Sequence, residues 1–326
     1  MAQLIKLQDY ISRYQIDLNR YPAQFIRMKK NGWNRMKSDW ETGDTVNNVP
    51  SWGQVEESEQ EQKPKETIFK KLFSKKRNSN KEEMVDITEN NEENLPIEEE
   101  LIDDETTLYF EPTIIYRPQT TEELKKIFLD QFFHFQIKWA SSTLREKSYV
   151  DPKYLREGFL RTILQSLPDN YLVLYYPIIK VKKAPVELDI IILTPLECLC
   201  ITMVEHENLA VYIGNSERER FWMKKVGDTE KKVLNPLIQL NRMEAIISQL
   251  FHLQDVDMPI RKILLSRNGY FDYPGNVFNV QFVDKREYEN WMQHLKQSTS
   301  PMKHMQILAA KTILNHVETT SYNRTL

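Results

Sequence analysis

The sequence predicts an α/β fold: a mixed sheet flanked by helices, preceded by a helical N-terminal segment and a disordered charged linker. Two observations carry most of this. From residue 106 onward, short Val/Ile/Leu-rich runs alternate with stretches whose apolar residues recur at helical spacing, the signatures of buried strands and amphipathic helices. Residues 53–105 instead consist largely of Glu, Gln, Lys, Asn and Ser, with too few apolar side chains to offset the ordering entropy of the chain. Bulk composition agrees. A chain of 326 residues that is 40% hydrophobic and 11% aromatic can build a sizeable core. A mean hydropathy of -0.57 requires that part of it be strongly polar. The organisation that follows is a helical segment over 1–52, a linker over 53–105 and an α/β domain over 106–326.

In the first segment Leu4, Leu7, Tyr10, Ile11, Tyr14 and Leu18 fall at helical spacing and predict an amphipathic helix. Pro22 interrupts or starts a helix, beyond which Phe25, Ile26, Met28 and Trp33 continue the apolar pattern. Trp33, Trp40 and Trp52 crowd this segment and either pack onto the main domain or form a partner surface. Inside the linker, Ile68, Phe69, Leu72 and Phe73 share a helical face bordered by Lys70, Lys71, Lys75, Lys76 and Arg77. Residues 65–77 therefore read as a short basic amphipathic element suited to peripheral contact with an anionic membrane or nucleic acid, or as a solvated patch. Residues 89–105 are acidic and lack Lys and Arg, so the two halves of the linker are able to pair.

An extended piece over 108–116 ends at Pro118. Thr120 as N-cap, with Glu123 three residues on, starts a helix carrying Leu124, Ile127, Phe128, Phe132 and Phe135. A second helix spans 152–167 and stops at Pro168. A strand over 171–176, extending toward Lys180, leads to two apolar strands within 186–204 joined by a short turn. Strands over 209–213 and 220–226 precede a helix over 235–253, opened by Asn235 as cap and Pro236 in the first turn. Strands over 260–265 and 277–283 follow, separated by a loop containing Gly269, Pro274 and Gly275. Helices over 285–295 and 301–317 close the chain.

Chemistry concentrates in the 186–204 hairpin. Glu187 and Asp189 interrupt an otherwise Val/Ile/Leu strand, and carboxylates in a buried strand are rare unless paired, hydrogen-bonded or coordinating a cation. The hairpin, the helix and strand before it, Trp222 after it, and the Asn235-Pro236-Leu237-Ile238-Gln239 helix start resemble the nuclease-related domain family of the PD-(D/E)XK nuclease superfamily. The resemblance covers about residues 150–285. It implies a restriction-endonuclease-like core in which acidic residues hold Mg²⁺ or Mn²⁺ and a lysine orients the attacking water.

The same resemblance assigns the family's helical Glu to Glu157, its Glu-x-Asp to Glu187-Leu188-Asp189 with Asp189 as metal ligand, and its Gln to Gln239. Its Glu-x-Lys triplet falls on Thr202-Met203-Val204, which offers neither a carboxylate nor an ammonium. Asp189, Glu157 and Gln239 are thus vestigial catalytic candidates, and Glu157, Asp189 and Glu205 the candidate metal ligands. Glu205 or Glu207 replaces the missing ligand only if the strand slips, and a one-residue slip turns every side chain to the other face. Lys224 or Lys225 would supply a migrated ammonium. In a purely structural reading Asp189 pairs with Lys180 or Lys182 instead.

Other chemistries find little support. A net charge of -3 gives no global case for nucleic-acid binding, though it leaves room for a local basic groove. Eight glycines offer little material for a phosphate-cradling loop. His134, His206, His252, His294, His304 and His316 lack the i, i+4 pairing of a helical zinc site; His206, beside Glu205, is a solvated loop residue or a ligand. Cys198 and Cys200 alternate in a strand and read as buried core thiols. No uncharged apolar run approaches the ~20 residues of a membrane span. The opening residues carry no signal-peptide core, so the expected setting is cytoplasmic. Two functions follow. The favoured one is a catalytically impaired nuclease-like domain serving as a nucleic-acid- or protein-binding, regulatory module. The alternative is an active Mg²⁺- or Mn²⁺-dependent nuclease that hydrolyses phosphodiester bonds with a site rearranged from Glu157, Asp189 and Glu205 or Glu207.

Overall fold

The chain opens in a strand, not in the helix that its apolar spacing predicts. β1 (Gln3–Leu7) has all five residues buried and pairs in parallel with β2 (Leu172–Tyr175). A strand buried on both faces has no polar alternation to reveal its period, so Leu4 and Leu7 fit a helical pattern equally well. A short 3-10 turn, Arg13–Gln15, follows. Helix begins only at α1 (Arg20–Thr42), with Pro22 in its first turn, where a missing N–H costs nothing. The N-terminal residues are therefore part of the main sheet.

The computed structural model describes residues 1–43, 109–143, 145–181, 184–205, 207–275, 277, 279–297 and 300–320. They belong to a unit built from both ends of the chain, Met1–Asn47 with Thr106–Leu326. The linker, Trp52, the basic element at 65–77, Lys182 and His206 lie outside the described residues.

From β2 the central sheet continues antiparallel through β5 (Ile190–Leu193) to β6 (Cys198–Met203). It then runs parallel through β10 (Ile260–Leu265) to β12 (Val280–Val283). The order is β1-β2-β5-β6-β10-β12, a mixed six-stranded sheet. α2 (Thr121–Ala140) packs on β1 and α1. Thr120 caps it as predicted, accepting from the Glu123 N–H at 3.2 Å. α5 (Pro236–Leu253), capped by Asn235 through the Leu237 N–H, lies on β6 and β10. α7 (His304–Leu314) packs against α5 and β5, and α6 (Tyr288–Lys296) precedes it.

A second sheet, in the order β11-β7-β8-β9, consists of β7 (Val211–Ile213), β8 (Phe221–Val226), β9 (Thr229–Leu234) and β11 (Tyr270–Asp272). β9 escapes prediction because Thr-Glu-Lys-Lys is exposed and carries no apolar alternation. The β8–β9 turn relies on Gly227 at φ +56°.

Three further expectations need correction. The helix predicted over 152–167 is two, α3 (Lys153–Arg156) and α4 (Gly158–Ser166), because Glu157 between them is extended (φ -67°, ψ 106°). The strand over 171–180 breaks after β2, where Tyr176 adopts the left-handed φ of +49° ahead of Pro177. The first hairpin strand likewise splits. β3 (Ile178–Val181) pairs with β4 (Ala184–Glu187) as a separate hairpin, and Leu188-Asp189 is the joint before β5. Residues 109–116 form no strand, but Phe110 packs into an aromatic cluster with Phe128, Phe132 and Phe135. Trp33 meets Phe128 edge-on and the Trp40 indole donates to the Pro118 carbonyl at 2.9 Å, so both tryptophans pack onto the main unit.

Candidate active site

Asp189 sits at the joint between β4 and β5, half-buried, its carbonyl accepting from the Tyr176 N–H at 3.2 Å. Because Ile190 pairs with Ile201, extending the antiparallel register places Asp189 opposite Thr202. The Thr202 hydroxyl donates to Asp189 Oδ2 at 2.6 Å. Gln239, in the first turn of α5, donates to the same carboxylate. Burial raises the Asp189 pKa above the ordinary aspartate range, and the bonds from Thr202 and Gln239 oppose that rise. Asp189 pairs with these two neutral donors rather than with Lys180.

Glu205 lies two residues past β6, and its carboxylate is held by a residue the sequence did not single out. Arg267 donates to it from the backbone N–H at 2.8 Å, from Nε at 2.7 Å and from Nη2 at 2.7 Å. The guanidinium also lies 5.0 Å from the centre of the Phe159 ring on α4. Its bonds to Glu205 raise the Arg267 pKa further. Such a fork-on-carboxylate pair is the strongest common ion-pair geometry. Glu207 is paired with Lys224 at 2.9 Å, and Lys225 with Glu230 at 3.7 Å, so neither lysine supplies an ammonium beside Asp189. Lys262, buried in β10, bonds Asn241 Oδ1 at 2.8 Å, on the other flank of α5 from Gln239.

Tyr176 is the second residue that sequence reasoning missed; its N–H bonds the Asp189 carbonyl. Burial first, then the charges of Asp189, Glu157, Glu187 and Glu205, push its phenol up to about 12. The charges of Glu157, Asp189 and Glu205 are thus all felt at one phenol, although each comes from a different element. The Tyr176-Pro177 dipeptide was the available signal, since such a pair reads as an extended or turn dipeptide. Arg267 offered none; it is one basic residue in a loop after β10.

A divalent cation fits this donor set poorly. Glu205 already satisfies a guanidinium with both oxygens, and Asp189 accepts from a hydroxyl and an amide. Among the described residues no group of three or more His, Cys, Asp or Glu is placed to hold a metal ion. Thr202 stands where the resemblance puts a carboxylate and Val204, 7% exposed, where it puts a lysine.

The fold is a mixed α/β domain whose Asp189 and Glu205 carboxylates are engaged by neighbouring side chains. Residues 153–266 match the model of the nuclease-related domain family, so the resemblance read from the hairpin holds for that segment. Over 41 residues the chain is 51% identical to an RNA 2',3'-cyclic phosphodiesterase of Geobacillus stearothermophilus, a stretch covering 13% of each protein. The chain thus spans a small part of that relative's length. No solved structure matches it. Among the described residues no helix is long and apolar enough to cross a membrane.

Proposed function

We propose that the chain is a catalytically impaired nuclease-like module that binds a nucleic-acid or protein partner around the Asp189 face without cutting it. The observation that carries this reading is the capture of Glu205 by Arg267. Metal-assisted phosphodiester hydrolysis needs carboxylates free to turn toward a cation and a group that readies water. Here one carboxylate grips an arginine, another accepts from Thr202 and Gln239, and the lysine position holds a valine. The 41-residue likeness to a cyclic phosphodiesterase is too short to transfer that activity. The setting we propose is cytoplasmic, which suits two buried free thiols.

Titration calorimetry of Mn²⁺ into the full chain and into Asp189→Ala tests the reading. It expects no stoichiometric binding that depends on Asp189, and no metal-dependent cleavage of DNA or RNA. Tight binding lost in Asp189→Ala, with cleavage lost in parallel, would sink it. That outcome favours the second reading, an active Mg²⁺- or Mn²⁺-dependent nuclease. The charges of four carboxylates felt at the Tyr176 phenol are the observation on its side. In that case Arg267 must swing away from Glu205 when the metal arrives, and Arg267→Ala should bind Mn²⁺ more tightly than the parent.

A further inference from the structure

Residues 316–320, just past α7, form a strap that ties two distant parts of the chain together. Val317 makes an antiparallel bridge to Ile179 of β3. On either side of it the Lys180 N–H donates to the His316 carbonyl at 2.8 Å, and the Glu318 N–H to the Ile178 carbonyl at 2.7 Å. The β3–β4 hairpin, otherwise a two-stranded ribbon, thereby gains a third extended segment. A two-stranded ribbon is marginal in water, so the strap steadies the hairpin, which leads through Leu188 to Asp189. Beyond the bridge, the Thr320 N–H donates to the Asp9 carbonyl at 3.1 Å and the Thr320 hydroxyl to the Asp9 carboxylate.

The same strap closes over a buried lysine. Lys6 is 1% exposed, and its amine donates to the Tyr10 carbonyl at 2.6 Å, the Thr319 hydroxyl at 2.8 Å and the Gln15 amide oxygen at 3.5 Å. All three acceptors are neutral. The charge that acts on Lys6 is that of Asp9, whose carboxylate is shared with Thr320. The other titratable groups on the surrounding elements have partners of their own. Arg13, Tyr10 and Tyr14 in the turn after β1 bond Ser142, the Asp151 N–H and Gln3, and the His316 ring meets the Thr312 carbonyl at 2.8 Å. Tyr175 on β2 packs edge-on against Tyr176. Lys180 on β3 and Glu318 on the strap are the remaining charges there. An ammonium sealed among neutral acceptors loses hydration that they do not replace, so the closed site favours the neutral amine. Burial accordingly lowers the Lys6 pKa to about 7.

We propose that residues 316–320 are a proton-driven latch, closed over Lys6 as the neutral amine and opened when the ammonium forms, which releases the β3–β4 hairpin beside Asp189. The latch needs no ligand at the Asp189 face, so its failure is separate from that of the Mn²⁺ titration. Hydrogen exchange of the full chain between pH 6 and pH 9, with each amide's rate divided by its intrinsic rate, reads the opening. The Lys180, Glu318 and Thr320 amides bond across the latch and report on it; those of β5 and β6 report on the sheet. The latch amides should be at least about a hundredfold less protected than the sheet, because the latch opens while the sheet stays folded. Their protection should fall about fiftyfold from pH 9 to pH 7 and only about twofold more by pH 6, as for a lysine with a pKa of about 7 when closed and 10.5 when open. Lys6→Met should abolish that slope although His316, Asp9 and Glu318 remain. Thr320→Val should lower latch protection about tenfold at every pH and keep the slope. Protection that is flat between pH 9 and pH 7, a slope that survives in Lys6→Met, or latch amides as protected as the sheet would overturn the proposal. So would a Thr320→Val protein whose latch is unchanged, and that variant and the parent decide the matter even without a folded Lys6→Met.

Discussion

Replacing Arg267 by alanine should cost about 2 kcal/mol of stability, and replacing Glu205 by glutamine as well should restore part of it. Breaking a buried ion pair from one side costs roughly 3–5 kcal/mol, because the other charge stays behind unpaired. Two features of this pair reduce that figure. The Arg267 side chain is 31% exposed against 14% for Glu205, so water reaches the guanidinium side. The backbone N–H of residue 267 also survives the substitution and keeps one bond to Oε1. In the double variant the side chain at position 205 is a neutral amide and no longer a stranded carboxylate. The coupling between the two sites should therefore be about 1–2 kcal/mol, well above the ~0.5 kcal/mol within which independent sites add. Urea denaturation of the four proteins at neutral pH reads this directly. With a slope of about 3 kcal/mol/M the single variant's midpoint should fall by about 0.7 M. Additive effects would mean that Arg267 does not hold Glu205 in solution, and the argument for a closed acidic site would lose its main support.

Three more predictions follow from other parts of the fold. Lys6 is buried in β1 and bonds the Tyr10 carbonyl at 2.6 Å and the Thr319 hydroxyl at 2.8 Å. Burial lowers its pKa to about 7, with Asp9 opposing the drop. The folded state then binds fewer protons than the unfolded one between about pH 7 and 10.5. Stability should rise across that window by up to about 1.4 kcal/mol per pH unit, and urea midpoints of Lys6→Met should lack that rise. Thr202→Val keeps the shape of the side chain but strips Asp189 of its hydroxyl donor; a loss of about 1.5–3 kcal/mol in thermal or urea unfolding is expected. Gly214→Ala would drive a methyl into the Trp222 indole, which is 1% exposed and stacked near Phe282. A cost of about 1–3 kcal/mol and a changed tryptophan fluorescence spectrum are expected, whereas Gly158→Ala, with open space at its Cβ, should change neither.

Much of the domain was legible because its signals are local. The Thr120 cap and the Asn235-Pro236 helix start each state their structure within a few residues and form as read, and the Ile-rich β5 is the part of its predicted strand that holds. β1 was not legible because what makes it a strand is its pairing with β2, far away in the chain. β9 was not legible because an edge strand rich in Lys and Glu looks like a loop. At the site, Asp189 and Gln239 could be placed by resemblance, and the fold brings them into contact. The partner of Glu205 could not be placed. An arginine becomes a clamp through the loop geometry after β10, which no spacing in the sequence encodes.

The pairing of β1 with β2 also constrains how the molecule is made. Gln3 lies beside Leu172 in the sheet, so once β1 has left the ribosome it must wait for a strand that is synthesised about 170 residues later. At roughly 5–20 residues per second that interval is about 8–34 s. Throughout it, an apolar segment with unpaired backbone groups has no sheet to join. Slowing elongation before residue 172 should therefore make the nascent chain more prone to aggregate. The two ends of the sheet are thus made far apart in time, and it closes only once β12 has emerged.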